Sequence, residues 1–150
     1  MAKVYLAVGS VTGTATAVAE ALRQALEAAG HSAVVDTNAS VAAMNDSECD
    51  AILVCTATTG RGNLPANIAP FYGQLEEQSP LLNGRPFGVI SLGDSSYDRT
   101  FCAAGGLFEE RLLELQASAP VPRVTIDATE TVTPDDDALF WLNEWIEKAL

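Results

Sequence analysis

Apolar residues along this chain fall into short runs, separated by longer stretches that repeat with a helical spacing. Five runs read as strands: Lys3 to Gly9, Ala33 to Thr37, Ala51 to Thr56, Phe87 to Gly93 and Arg123 to Asp127. The first, third and fourth are nearly continuous in apolar residues, the pattern of parallel strands covered on both faces rather than of alternating, half-exposed ones. Val18, Leu22, Ala25, Leu26 and Ala29 form a helical stripe, and Gly30 just past it is the expected stop. Phe108, Leu112 and Leu115 form another. Leu139, Leu142, Ile146 and Ala149 predict the inward face of a last helix, entered through Thr133-Pro134-Asp135, with Asp135, Asp136 and Asp137 as a capping run at its positive end. Pro70 lies within the pattern Ile68, Phe71, Tyr72, Leu75; with Asn67 as N-cap it falls in the first turn, where a missing N–H breaks no helical bond. The connection from 38 to 50 is the least regular and has room for a turn or a short helix. Strand and helix in alternation, with short links, predict an α/β fold with a doubly wound parallel sheet.

Length and composition narrow this further. With 150 residues, 48% of them hydrophobic and 19% charged, the chain is expected to form a single domain over residues 1–150 around one substantial core. The start, Met-Ala-Lys-Val, enters a strand pattern without the basic, apolar and small-residue segments of a signal peptide, and no apolar run approaches the ~20 residues of a membrane span. The expectation is a protein without a membrane association. Cysteines at 49, 55 and 102 form neither a C-x-x-C pair nor a disulfide framework, which fits a reducing cytoplasm. Cys49 and Cys55 read as buried small apolar side chains. The net charge of −12, with only 8 Lys and Arg, excludes a phosphate-neutralising surface for nucleic acid and favours a basic protein partner.

In a doubly wound sheet, ligands bind beyond the carboxyl ends of the strands, where the winding reverses. That directs attention to residues 9 to 15, 56 to 64 and 93 to 102, which are rich in Gly, Ser, Thr and Asp. The first, Gly9-Ser10-Val11-Thr12-Gly13-Thr14-Ala15-Thr16, joins strand to helix with hydroxyls and a glycine but no charge. A helix N-terminus can hold a phosphate with its own N–H groups. The same residues also suit an ordinary turn in which a hydroxyl caps the helix. The lysine of a nucleotide-triphosphate loop and the glycine spacing of a dinucleotide loop are both absent. In the second loop, Gly60 and Gly62 lie beside hydroxyls that can reach a polar ring edge; in the third, Tyr97 can stack on a flat ligand. Each loop taken singly also suits a solvated surface. His31 is expected to be exposed, and Trp141 and Trp145, an i, i+4 pair, to be packing or surface aromatics.

With Gly9-Ser10-Val11-Thr12-Gly13-Thr14, Thr56-Ala57-Thr58-Thr59-Gly60-Arg61-Gly62-Asn63-Leu64-Pro65, and above all Ser91-Leu92-Gly93-Asp94-Ser95-Ser96-Tyr97 followed by Phe101-Cys102, the chain resembles a bacterial short-chain flavodoxin over essentially its whole length. The resemblance implies a three-layer sandwich whose five-stranded parallel sheet runs in the order 2-1-3-4-5 with helices on both faces, and it implies FMN as cofactor. Ser10, Val11, Thr12, Gly13, Thr14 and Ala15 would hold its phosphate. Thr58, Thr59, Gly60 and Gly62 would border one face of the isoalloxazine, and Gly93, Asp94, Tyr97, Phe101 and Cys102 the other, with Tyr97 as its cover.

The implied function is low-potential one-electron transfer between an NAD(P)H-dependent flavodoxin reductase and an acceptor enzyme, by a monomer without catalytic residues of its own. By the same resemblance, the peptide after Gly60 can flip to stabilise the neutral semiquinone, a movement that a Cβ would hinder. The chain departs from the family pattern at Ala15, where most members have a hydroxyl, at Thr59, where many have an aromatic, and in the three residues between Tyr97 and Phe101, one more than usual. Arg61 and Arg99 are scarce basic residues in flavin-side loops; they read as solvated, or in the case of Arg61 as a partial offset to the acidic field. The competing classes are an FMN-dependent NAD(P)H oxidoreductase and a flavin-free domain of the same fold. Direct oxidation of NAD(P)H would mark the former, a colourless protein that refuses FMN the latter.

Overall fold

The computed structural model describes residues 1–11, 13–58, 63–93, 103–127 and 133–150. In chain order these form β1 (Lys3–Gly9), α1 (Thr14–Ala28), β2 (Ser32–Asp36), α2 (Val41–Asp46), β3 (Ala51–Ala57), α3 (Ala69–Gln78), β4 (Phe87–Gly93), α4 (Ala103–Glu114), β5 (Val124–Asp127) and α5 (Pro134–Ala149). The strands pair in parallel in the order β2-β1-β3-β4-β5, as expected. Among the described residues, no helix is long and apolar enough to cross a membrane.

The continuous apolar runs become the three central strands. β1, β3 and β4 are buried over nearly their whole length, whereas the edge strands β2 and β5 are only partly covered. Successive side chains of a strand face opposite ways, so each central strand feeds two cores. Val4, Leu6, Val8, Leu53 and Cys55 pack with α1 and α5 on one side. Tyr5, Ala7, Ile52 and Val54 pack with Met44, Phe71 and Phe108, from α2, α3 and α4, on the other.

Several boundaries and faces differ from expectation for local reasons. β2 runs from Ser32 to Asp36, one residue earlier than predicted, because Asp36 Oδ1 accepts the Asn38 N–H at 2.9 Å and turns the chain. β5 starts at Val124, since the Arg123 N–H donates to Glu109 Oε2 at 3.0 Å instead of joining the ladder. The irregular connection after β2 holds α2, capped by Ser40 Oγ, which accepts the Ala43 N–H at 3.0 Å. Pro70 does sit in the first turn of α3, but the cap residue is Ile68 and the Asn67 side chain is engaged elsewhere. The stop after α1 is Gly30, at φ 91°.

The inward face of α5 is centred on Ala138, Trp141, Leu142 and Trp145, and the expected Leu139, Ile146 and Ala149 flank it. Both indoles are core groups. The Nε1–H of Trp141 donates to the Pro122 carbonyl at 2.9 Å and that of Trp145 to the Phe87 carbonyl at 3.1 Å. Partnering that polar edge is what lets a tryptophan be buried without loss. His31 is half-buried rather than exposed, and its Nδ1 accepts the Ala2 N–H at 3.0 Å, tying the start of the chain to the start of β2.

Candidate cofactor site

The carboxyl ends of the central strands finish together: Gly9 pairs with Thr56, Ala57 with Leu92, and Gly93 with Asp127. Because β2 lies on one side of β1 and β3 on the other, the winding reverses between β1 and β3. The crevice beyond that point is where open α/β sheets bind ligands. All three loops singled out in the sequence leave from this edge.

The turn from β1 into α1 is organised around Ser10. Its N–H donates to Asn67 Oδ1 at 3.0 Å, and its Oγ accepts the Gly13 N–H at 2.9 Å. A hydroxyl that accepts in this way keeps its own proton to donate to an anion. Gly13 is the N-cap of α1 at φ 92°, a left-handed conformation open to glycine without strain, and it brings no side chain of its own to cap the helix. The first turn of α1 has no acidic residue, whereas that of α5 has Asp135, Asp136 and Asp137. In a chain of charge −12, the positive end of α1 thus carries no carboxylate in its own first turn. This donor set fits a phosphate.

The other loop-one residues divide by exposure. Val11 is 65% exposed, Thr14 is exposed and Thr16 half-buried. Ala15 is fully buried beside Val18 and Leu22, and its carbonyl accepts the Cys55 thiol at 3.5 Å. A methyl group makes no hydrogen bond, so Ala15 can offer a ligand only its backbone. Thr12 lies outside the described residues.

Burial pushes the Cys55 thiol up to about 12, so it is protonated at neutral pH. Only thiolate reacts with alkylating agents. Iodoacetamide at pH 8 should therefore leave Cys55 unmodified in the native protein and modify it in urea, as read by mass spectrometry of peptides. Equal labelling in both states would contradict this account of its surroundings.

Thr58, one residue past β3, links two loops: its Oγ1 accepts the N–H of Ala104, in the first turn of α4, at 3.3 Å. Gly93 ends β4. Thr59, Gly60, Gly62, Asp94, Tyr97, Phe101 and Cys102 lie outside the described residues, as do Arg61, Arg99 and the 97–101 spacing. Among the described residues, no group of three or more His, Cys, Asp or Glu is gathered to hold a metal.

Gly9, read in the sequence only as the first residue of loop one, and Asn67, read as a helix cap, prove central to the site's frame. A Cβ on Gly9 would stand 2.5 Å from both Ile68 Cγ2 and Thr56 Oγ1, so only glycine fits where β1 delivers the chain to the loop. Its place at the end of an apolar strand before Ser10 was the available signal. For Asn67, an asparagine just before a helical pattern reads as a cap, and nothing local points to Ser10.

Comparison with known proteins agrees with this geometry. The model of the family described as Flavodoxin matches residues 6–141. A flavodoxin, YqcA, from Pectobacterium carotovorum subsp. carotovorum is 37% identical over 98% of this chain and 97% of its own. An uncharacterized protein, PA3435, from Pseudomonas aeruginosa is 44% identical over 95% of each chain. Among solved structures, a cysteine-to-serine mutant of a flavodoxin from Pseudomonas aeruginosa superimposes with a TM-score of 0.93 at 42% identity, covering 98% of both chains.

Proposed function

Because this chain belongs to the flavodoxin family of FMN-binding electron-transfer proteins, we propose that it works as a low-potential, one-electron carrier between an NAD(P)H-dependent flavodoxin reductase and an acceptor enzyme. The carrier is a cytoplasmic monomer formed by a single domain, residues 1–150. The observation that carries this reading is the start of α1: entered through Gly13, which brings no side-chain cap, and without an acidic residue in its first turn, at the edge from which the loops after β1, β3 and β4 leave. Bound FMN supplies the redox chemistry.

The protein's part is to bind and orient. The Ser10 hydroxyl, the N–H groups of residues 11, 12, 14 and 15 and the hydroxyls of Thr12 and Thr14 hold the phosphate, while the Gly13 N–H closes the loop onto Ser10 Oγ. Thr58 and its neighbours Thr59, Gly60 and Gly62 border one flavin face. Gly93, Asp94, Tyr97, Phe101 and Cys102 border the other. No side chain has to move a covalent bond, so the protein has no catalytic residue. The acidic chain disfavours added negative charge on the ring, which lowers the potential of the last electron. It also draws in partners with basic docking faces through weak encounters that salt screens.

Purified protein is expected to show flavin absorption bands, or to acquire them on adding FMN, and to reduce an acceptor only when a reductase is present. A colourless protein that takes up no FMN would overturn the assignment of the site. Steady oxidation of NAD(P)H by the protein alone would replace the carrier with an oxidoreductase.

A further inference from the structure

We propose that Asn67 is the positioning residue of the phosphate loop, holding Ser10 in the orientation from which its hydroxyl meets the FMN phosphate. The inference rests on the proposed role of residues 10 to 15. Asn67 stands just before α3, yet its amide is spent on three backbone groups in two distant segments. Oδ1 accepts the Ser10 N–H at 3.0 Å, and Nδ2 donates to the carbonyls of Val8 and Thr37, each at 2.9 Å. Those partners are 57, 59 and 30 residues away in the chain. Both amide protons are used, and each end of the amide faces the only kind of group it can bond, so its orientation follows from chemistry.

The anchors are themselves rigid. Val8 is a fully buried residue of β1 paired with Cys55. Thr37 follows Asp36, whose Oδ2 accepts the hydroxyl of the buried Tyr5 at 2.6 Å and whose Oδ1 accepts the Asn38 N–H. Ile68, next to Asn67, is fully buried and touches the place where Gly9 has no Cβ. Asn67 therefore ties the end of β1, the end of β2 and the loop after β3 to one peptide, that of Ser10. With its N–H directed at Asn67, Ser10 is left with its side chain to close the loop through the Gly13 N–H and to donate outward.

The test compares the affinities of apoprotein for FMN and for riboflavin, which lacks the phosphate, by quenching of flavin fluorescence. In Asn67→Ala the dissociation constant for FMN is expected to rise about tenfold or more, with that for riboflavin unchanged to within about twofold, because what is lost is hydrogen bonding to a charged group. Asn67→Asp keeps the size and the acceptor for Ser10 but sets a carboxylate against two carbonyls and near the phosphate, so its preference for FMN should fall further and depend on salt. It decides the matter if the alanine variant does not fold. An unchanged preference for FMN, or a parallel loss of both flavins, would reduce Asn67 to an ordinary fold contact and overturn the inference. Wild-type protein that binds the two flavins equally would overturn the phosphate loop itself, and this inference with it, before any substitution is made.

Discussion

Gly9→Ala is expected to weaken FMN binding by more than tenfold and to lower stability by about 2–3 kcal/mol, the upper part of the range for overpacked sites, which for a chain of this size lowers Tm by roughly 5–10 °C. The added methyl group would stand 2.5 Å from Ile68 Cγ2 and from Thr56 Oγ1, in the gap between β1 and the residues leading into α3. Ile68 and Thr56 are fully buried, so neither can swing away. The strand end has to move, and Ser10 moves with it. Gly73→Ala is the control, since a Cβ there meets nothing within 4 Å. Within α3 it should stabilise by about 0.5–1 kcal/mol through helix propensity and leave FMN affinity alone. Thermal melts and flavin titration of both variants check this; a Gly9→Ala protein with wild-type affinity for FMN would show that the strand end does not set the loop.

Trp145→Ala should be the most destabilising single change, costing about 3–5 kcal/mol. The indole is fully buried, stacks on Trp141 at a centroid distance of 6.3 Å, and donates to the Phe87 carbonyl at 3.1 Å. Gly88 makes room for it: a Cβ there would collide with Trp141 Cη2 and stand 2.8 Å from Trp145 Nε1. Trp145→Phe separates the contributions, because it keeps most of the apolar volume and leaves the carbonyl without its donor, at a cost of about 1–3 kcal/mol. Against a typical stability of about 5–15 kcal/mol, the alanine variant is close to unfolding. Phe87 lies at the amino end of β4 and Gly93 at its carboxyl end, beside the proposed flavin site and about 20 Å away at strand rise, so the folded fraction should keep its flavin spectrum. Urea melts followed by far-UV circular dichroism measure the cost. A loss below about 1 kcal/mol would mean that the site collapses onto the gap and that burial overstates the role of Trp145.

Much of this architecture was legible because it is local. β1 and β4 appear with their predicted bounds, since an apolar run with flanking glycine or polar residues leaves few other places for a central strand. β2 is displaced by one residue and β5 starts one residue late, because at an edge the side chains of Asp36 and Glu109 take over backbone N–H groups, and such competition has no signature in spacing. The face of α5 was read from its aliphatic residues, and the two tryptophans displaced it. Their large rings could enter the core only because the Pro122 and Phe87 carbonyls accept their N–H groups, and those partners lie 19 and 58 residues away.

The candidate site divides along the same line. Sequence by itself determined the alternation of strands and helices, the three loops at one sheet edge, and an uncharged, hydroxyl-rich turn from β1 into α1, because periodicity and side-chain chemistry are written in neighbouring residues. Only the tertiary structure decided that Gly9 must lack a Cβ, that Ala15 belongs to the core, that Thr58 braces the start of α4, and that Asn67 holds Ser10 instead of capping α3. Each of these depends on a partner supplied by another element. An asparagine amide offers the same donors and acceptor in every context, and which groups meet them is settled only when β1, β2 and the chain before α3 have come together.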